Sequence, residues 1–348
     1  MYDRVRNRRH EPEGTLHMAN LKLNFACQGY AWMKPFLDGE VKLAGIELKT
    51  EGLFPAATFE RLLKDKDFDV AEMGLTYYVG TLEHQPAPFV AMPVFPVRSF
   101  RLSCIYVSGK SAIRTPKDLI GKRFGEAFTH GHDAGIWARG ILRDYYGVPF
   151  DSHSAYFVGG VGRPAAKWDW APFDTTPARA KAQHIGPQKT LDGMLEAGEI
   201  DVLFSAIDPP ALGSGAIRRL FDDVESHERN YFAKSNVFPI MHTVVIRTEY
   251  YKQNPQIALT LYRTFKELKE RVLARERAQE YIPMTRMLPL YTEHQREMLK
   301  LMGPDYWPYG VEANRKTLDA FLGYHHDLGI SKRRWKPEEI FLPETRVG

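Results

Sequence analysis

Two histidines and an aspartate lie close together in one predicted loop. Residues 129–133 read THGHD and follow a short strand-like segment at residues 123–126. Behind them, Ile136, Ile141 and other apolar residues recur at the three- and four-residue spacing of an amphipathic helix. The loop therefore places the His130 and His132 imidazoles and the Asp133 carboxylate at a helix N-terminus, which favours a bound anion. For Asp133, an ordinary N-cap is an equal alternative.

Two more proton-carrying side chains adjoin strand-like runs. Glu72 lies at the end of the segment at residues 68–73, and His242 precedes the β-branched run at residues 243–246. Histidine titrates near neutral pH and can act as acid or base. We expect His132, Asp133, His242 and Glu72 to carry catalysis. The alternatives are a buried structural role for His242 and simple backbone hydrogen bonding for Glu72.

The composition is that of a soluble globular protein. The 348 residues are 44% hydrophobic and carry a net charge of +4, with basic residues spread among acidic ones. This length predicts two lobes, and the mild charge indicates no nucleic-acid partner. No apolar run approaches a transmembrane length. Cys27 and Cys104 lack metal-ligand spacing, so we expect buried thiols in a reducing, cytoplasmic compartment.

Strand-like and helix-like segments alternate along most of the chain, which predicts parallel α/β sheets with ligands outside the carboxyl ends of the strands. We expect residues 1–17 to be a disordered leader or a tag. Residues 18–107 and 241–348 would form lobe 1, and residues 108–240 would form lobe 2. The crossings would lie near Ser108 and Met241, and the chain would close on a ligand at this hinge. We expect helices in the C-terminal part.

Several stretches in a fixed order carry a family resemblance. They are FDVAEMG from residue 68, PVFPVRSFR from residue 93, GHD at 131–133, FPIMHTVVI from residue 238 and YWPYGVEANRKTL from residue 306. Together they resemble the 4,5-dihydroxyphthalate decarboxylase family, and the similarity extends over almost everything after Met18. The resemblance implies a two-lobed fold like the type II periplasmic-binding proteins, with a cleft between the lobes.

The implied activity is removal of one carboxylate from 4,5-dihydroxyphthalate or a close aromatic acid, giving protocatechuate and carbon dioxide. A carboxylate on the ring needs cationic partners, and the planar fork of arginine matches it. Arg98 and Arg101 are the candidates, with a surface ion pair as the alternative for each. The other expected substrate-binding residues, among which the aromatic ones would cover the ring, are Thr76, Phe128, His130, Ser205, Trp307 and Tyr309.

Three alternatives stay open at this point. A divalent metal held by His130, His132 and His242 could bind the two neighbouring ring hydroxyls of the expected substrate. We nevertheless expect no cofactor. A non-catalytic aromatic-acid binding protein of the same fold is the second alternative, and a metal-dependent hydrolase or lyase is the third. We expect a small aromatic acid as the partner, no membrane, and self-association into a homo-oligomer.

Overall fold

The structure is a computed structural model and describes residues 21–178, 180–279 and 291–346. The expected leader at residues 1–17 lies outside the described residues. The strands are β1 (Leu21–Cys27), β2 (Ile46–Gly52), β3 (Val70–Gly74), β4 (Phe89–Met92), β5 (Ile105–Ser108), β6 (Arg123–Ala127), β7 (Ala155–Gly159), β8 (Ala182–His184), β9 (Val202–Phe204), β10 (Ile217–Arg219) and β11 (His242–Arg247).

Helices fill the connections and the C-terminal part. They are α1 (Lys34–Leu37), α2 (Pro55–Glu60), α3 (Leu75–Thr81), α4 (Asp133–Tyr146), α5 (Leu191–Ala197), α6 (Val224–Ser235), α7 (Thr248–Gln253), α8 (Gln256–Gln279), α9 (Tyr291–Met302), α10 (Arg315–Asp327) and α11 (Pro337–Ile340). None of these helices of the described ranges is long and apolar enough to cross a membrane.

The strands form two sheets. The first has the order β2-β1-β3-β11-β4, and the second has the order β10-β5-β9-β6-β7-β8. The prediction of parallel sheets was only partly right, because β11 runs antiparallel to both β3 and β4, and β5 runs antiparallel to β9 and β10. The chain enters these strands from the other sheet or from a loop. No β-helix-β connection links them to their neighbours, so they need not be parallel to them.

The chain passes from the first sheet to the second between Met92 and Ile105, and it returns between Ser235 and His242. The two crossing segments lie side by side, since the Met241 N–H donates to the Val97 carbonyl (2.9 Å) and Arg98 pairs with Ile240. The segment from residue 98 to 107 is strand-like in the sequence. Only its end forms β5, because this segment must bend from one sheet to the other. The division into lobes with the predicted boundaries stays a prediction.

Helix α4 lies at the centre of the molecule. Its first ten residues are all buried. The Trp137 indole donates to the Ile240 carbonyl (2.8 Å), and Gly140 packs against the ring of Tyr324 on α10. The helix is therefore held between the crossing segments and the C-terminal helices, and this packing fixes its N-terminus, where the predicted loop lies.

Candidate functional site

A cavity of about 270 Å³ lies where the two sheets face each other. Its walls come from the ends of strands and from the loops that follow them. The lining residues are Gln28, Tyr30, Phe54, Pro55, Ala56, Phe59, Tyr77, Val97, Arg101, Phe128, His132, Asp133, Ala134, Trp168, Ala206, Ile207, Met241 and His242. Of the predicted site residues, this set brings together His132, Asp133, His242, Arg101 and Phe128.

A larger depression of about 780 Å³ lies elsewhere, on the surface between α4 and α10. Two of its ionisable side chains, Arg143 and Asp327, are about one third exposed and already paired with each other (2.8 Å). The smaller cavity is the better candidate for chemistry, because its lining includes the buried side chains of His132 and Asp133, and burial raises the pKa of Asp133.

The first carboxylate-imidazole couple consists of Glu72 and His242. Glu72 lies on β3, which is buried throughout, so its carboxylate needs partners inside the protein. Glu72 Oε1 is 2.5 Å from His242 Nδ1, on the neighbouring strand β11. The Tyr30 hydroxyl also donates to Oε1 (2.7 Å), and the Gln28 N–H (2.9 Å) and the Cys27 thiol (3.2 Å) donate to Oε2. Burial opposes ionisation of Glu72, but His242 and these donors outweigh it and hold the pKa of the carboxyl below its ordinary value.

The second couple consists of Glu126 and His132. Glu126 is fully buried near the end of β6, and its Oε1 lies 2.9 Å from His132 Nδ1. Arg139, two turns beyond His132 on α4, brings its guanidinium to 3.2 Å from the other carboxylate oxygen, which also accepts a hydrogen bond from Tyr156. Gly135 makes this approach possible, since a Cβ there would lie 1.9 Å from Glu126 Oε1. Burial opposes ionisation, but Arg139 and His132 hold the pKa of Glu126 below its ordinary value.

In both couples the imidazole offers Nε2 to a ligand. Nδ1 of each ring is bound to a carboxylate, and this fixes the ring orientation. His132 Nε2 is buried and has no hydrogen-bond partner in the described part of the chain. Two imidazoles, His132 from the loop after β6 and His242 from β11, thus line the same cavity, and Nδ1 of each ring is committed to a carboxylate.

Asp133 joins the two sheets at this cavity. It begins α4, but its carboxylate accepts the N–H of Thr76 on α3 (2.9 Å), and the Thr76 hydroxyl donates to the Gly131 carbonyl (2.8 Å). A Cβ on Gly74 would lie 2.6 Å from Asp133 Oδ2, so only glycine leaves room for the carboxylate. Burial raises the pKa of Asp133 to about 6, against the opposing effects of His242, the Thr76 N–H and His132. Near neutral pH this carboxyl can both hold and release a proton.

The two predicted arginines have different surroundings. Arg101 lines the cavity, and its guanidinium donates to two sulfur atoms, Met241 Sδ (3.0 Å) and Cys104 Sγ (3.4 Å), with no ion pair to any carboxylate of the described ranges. Arg98 is buried away from the cavity, where it donates to Asn314 (2.9 Å) and to the Phe238 carbonyl (2.6 Å). Burial lowers the pKa of Arg98 to about 9. Arg101 is therefore the cation that can meet a ligand carboxylate, and Arg98 ties the crossing segments to the C-terminal loop.

Aromatic side chains form the flat wall of the cavity. Phe128 has a φ of +66°, a left-handed conformation that is uncommon for an aromatic residue. Its ring stacks on Trp168 at 4.9 Å with an interplanar angle of 11°. Tyr77 continues this wall through Trp170, and Phe59 packs edge-on against the His242 ring at 5.2 Å. A planar ligand would find stacking partners here.

The other predicted residues lie outside the cavity lining. His130 is buried behind it, with Nε2 3.0 Å from Arg139 Nη1, and burial together with Arg139 lowers its pKa to about 3. The Ser205 hydroxyl donates to the Ile207 carbonyl (2.6 Å) and so shapes the loop that carries Ile207 into the cavity wall. The Trp307 indole donates to the Phe95 carbonyl (2.8 Å), and Tyr309 is buried in the core.

The metal alternative needs His130, His132 and His242 around one ion. Nowhere in the described residues do three His, Cys, Asp or Glu side chains gather in this way. His130 faces a guanidinium, and His132 and His242 each use Nδ1 for a carboxylate. These residues do not fit a three-ligand metal site, so we derive no chemical step through a metal.

Sequence reasoning missed Glu126, Arg139 and Trp168. Glu126 carried a signal, because it ends a strand-like segment directly before the histidine loop, where a carboxylate meets whatever the loop presents. Arg139 lies seven residues after His132 on a helix, two turns along the same face. Trp168 carried no local signal, since it belongs to an irregular stretch whose path only the tertiary packing defines.

Comparisons with known proteins agree on family and fold. No protein-family model matches the chain. A 4,5-dihydroxyphthalate decarboxylase of Comamonas testosteroni is 30% identical over 330 residues, which cover 94% of this chain and 98% of the relative. A 4,5-dihydroxyphthalate decarboxylase of Pseudomonas putida is 28% identical over 198 residues, covering 57% of this chain and 75% of the relative.

Among solved structures, the periplasmic sulfonate-binding protein SsuA from Methylobacillus flagellatus KT superposes with a TM-score of 0.53 at 15% identity, over 94% of this chain and 93% of that one. At this identity the likeness concerns the fold alone. It confirms the predicted α/β architecture like that of the periplasmic-binding proteins.

Proposed function

We propose, since this chain belongs to the 4,5-dihydroxyphthalate decarboxylase family, that it is a carboxy-lyase which removes one carboxylate from 4,5-dihydroxyphthalate or a close aromatic acid. The products would be protocatechuate and carbon dioxide. The observation that carries the proposal is one cavity that combines two carboxylate-imidazole couples with a guanidinium whose contacts are sulfur atoms. Acid, base and anion-binding groups are thereby available on all sides of one small ligand.

In the proposed binding mode the aromatic ring lies against Phe128 and Trp168. The carboxylate that is retained pairs with Arg101, whose planar fork can hold both carboxylate oxygens. The hydroxyl groups and the second carboxylate then face the two imidazoles and Asp133. Burial of the cavity floor excludes water and strengthens each of these polar contacts.

In the proposed mechanism a base takes the proton of the hydroxyl that stands para to the leaving carboxylate. Electron density moves to the ring carbon that carries this carboxylate, and an acid beside it delivers a proton to that carbon. The carbon-carbon bond then breaks, carbon dioxide leaves, and the electron pair of the bond restores the aromatic ring. The base returns its proton to the phenolate oxygen, and solvent reprotonates the acid. His132, His242 and Asp133 are the groups that contact the substrate, and Glu72 orients His242.

We propose that these side chains suffice without a metal or another cofactor, because ordinary acid-base catalysis supplies both proton transfers. We also propose a cytoplasmic location and a homo-oligomer. Cys27 and Cys104 are both buried as free thiols, which suits a reducing compartment. Ile120 and Tyr145 are exposed large apolar side chains outside the cavity. Light scattering and cell fractionation test these two points.

The test of the main proposal is incubation of the purified protein with 4,5-dihydroxyphthalate, with and without EDTA, followed by chromatography for protocatechuate. We expect product at the same rate in both samples. Product lost on chelation and restored by a divalent ion would overturn the metal-free mechanism. Binding of the acid by calorimetry without any product would overturn catalysis and favour a binding protein of the same fold.

A further inference from the structure

The two couples differ in how the charge of the carboxylate is balanced. Glu126 has a full positive charge beside it, because the Arg139 guanidinium lies 3.2 Å from its Oε2. Glu72 has neutral donors instead, namely Cys27, Gln28 and Tyr30. Within the described ranges, the His242 imidazole is the sole group paired with Glu72 that can carry a positive charge.

This difference decides what a proton on each imidazole would cost. Burial favours a local group of side chains whose charges sum to zero. Glu126 and Arg139 already cancel, so a proton on His132 would add an unbalanced buried charge. Glu72 is balanced only when His242 carries the proton.

We propose that Glu126 and Arg139 are positioning residues for the decarboxylation. Glu126 holds His132 with Nε2 toward the substrate, and Arg139 offsets the charge of Glu126 so that His132 stays neutral and accepts the phenolic proton. His242, held protonated by Glu72, is then the donor to the ring carbon. This division of roles rests on the proposed function.

Three other polar groups lie near His132 or its two partners. Asp133 lies beside His132 and also interacts with His242 and with Arg101 across the cavity. His130 lies behind Arg139 and accepts from its Nη1, as a neutral ring does. Tyr156 donates to Glu126. Arg139→Gln also removes the partner of His130, and Glu126→Gln changes the acceptor of Tyr156, so the titration of His132 is followed by itself and Arg139→Lys serves as the control.

The experiment compares Arg139→Gln, Glu126→Gln and the charge-conserving control Arg139→Lys. The titration of His132 is followed by NMR of 13C-labelled histidine in the full-length protein without substrate, and the pH profile of kcat/KM is recorded in parallel. In Arg139→Gln the unbalanced Glu126 should hold a proton on His132, moving its titration midpoint and the acidic limb of the profile upward by on the order of one pH unit. In Glu126→Gln the unbalanced Arg139 should move both downward. Arg139→Lys should leave the midpoint near the wild-type value.

Opposite shifts support the proposal, because general damage to the fold would move both variants the same way. Equal shifts, or no shift in either, would overturn it. If Arg139→Gln does not fold, the double variant Glu126→Gln/Arg139→Gln takes its place, and its midpoint should return toward the wild-type value. The NMR titration needs no turnover, so failure of the decarboxylase assignment would appear separately, as a wild-type protein that forms no product.

Discussion

The two sides of the cavity contain the same pair of side chains in different environments. On the first sheet, Glu72 sits in the middle of a strand and is held by several neutral donors. On the second sheet, Glu126 is held by a guanidinium, a phenol and a loop N–H. A buried carboxylate can thus be stabilised by hydrogen bonds or by an ion pair. Hydrogen bonds from neutral donors leave its negative charge in place, and the imidazole can then balance that charge. Similar geometry therefore does not imply equal roles.

The largest expected effect comes from removing either imidazole. His132→Ala and His242→Ala should each lower kcat by about 10²-fold or more, the usual scale for a lost general acid or base. Steady-state kinetics checks this, with His84→Ala as the control because His84 is exposed on the surface. If either cavity variant keeps near wild-type turnover, that imidazole has no part in proton transfer and the comparison of the couples loses its functional meaning.

A smaller effect should distinguish Arg101 from Arg98. Arg101→Gln should raise KM by roughly 10- to 100-fold with a lesser change in kcat, because a charged hydrogen bond contributes about 1.5–3 kcal/mol. Since Arg101 contacts Met241, next to His242, this result would locate the retained carboxylate on the first-sheet side of the cavity.

The matched control is Arg98→Gln. It should lower the melting temperature, since it removes partners of Asn314 and of the Phe238 carbonyl, but leave KM unchanged. A raised KM in Arg98→Gln together with an unchanged KM in Arg101→Gln would reverse this assignment.

The smallest expected effect is a change of stability in an Asp133 variant. Its pKa is raised from 3.8 to about 6 in the folded protein. The folded state therefore binds the proton more tightly than the unfolded state, and this contribution to stability is complete below pH 4 and lost as the pH rises through 6. Asp133→Asn, which cannot ionise, should gain on the order of 2 kcal/mol of unfolding free energy relative to wild type above pH 6, and much less near pH 4.

Urea unfolding at pH 4 and pH 7.5 measures this difference. An Asp133→Asn variant less stable than wild type at pH 7.5 would contradict the burial argument. The same variant should lose activity, because a carboxyl between the two couples can no longer exchange a proton.

Several residues of the candidate site could be predicted from the sequence, for physical reasons. His132, Asp133 and His242 adjoin ends of strands, and strand ends of this fold meet at one place. Arg98 and Arg101 could not be told apart, because they lie in an irregular crossing segment whose side-chain directions follow no period. Glu126 was missed although it ends a strand-like segment directly before the histidine loop, because nothing local shows that the Arg139 guanidinium balances its charge.

The fold shows the same limit. The spacing of apolar residues and the positions of proline and glycine predicted most strands and the long helices, including α4 and α8, because these patterns are local. The antiparallel placement of β11 between β3 and β4 depends on the path through the second sheet, and no local pattern records it. The short strand β10 and helix α6 were missed for a related reason, since tertiary contacts stabilise them.

The placement of β11 has a consequence for synthesis of the protein. Strand β4 cannot join the first sheet until β11 is present between it and β3, and β11 follows β4 by roughly 150 residues along the chain. At about 5–20 residues per second, the ribosome needs roughly 10–30 s to make that interval. During this time the nascent chain presents the edge of β3, with Glu72 on it and His242 not yet made. The Glu72-His242 couple is thus completed only after the second sheet has been synthesised.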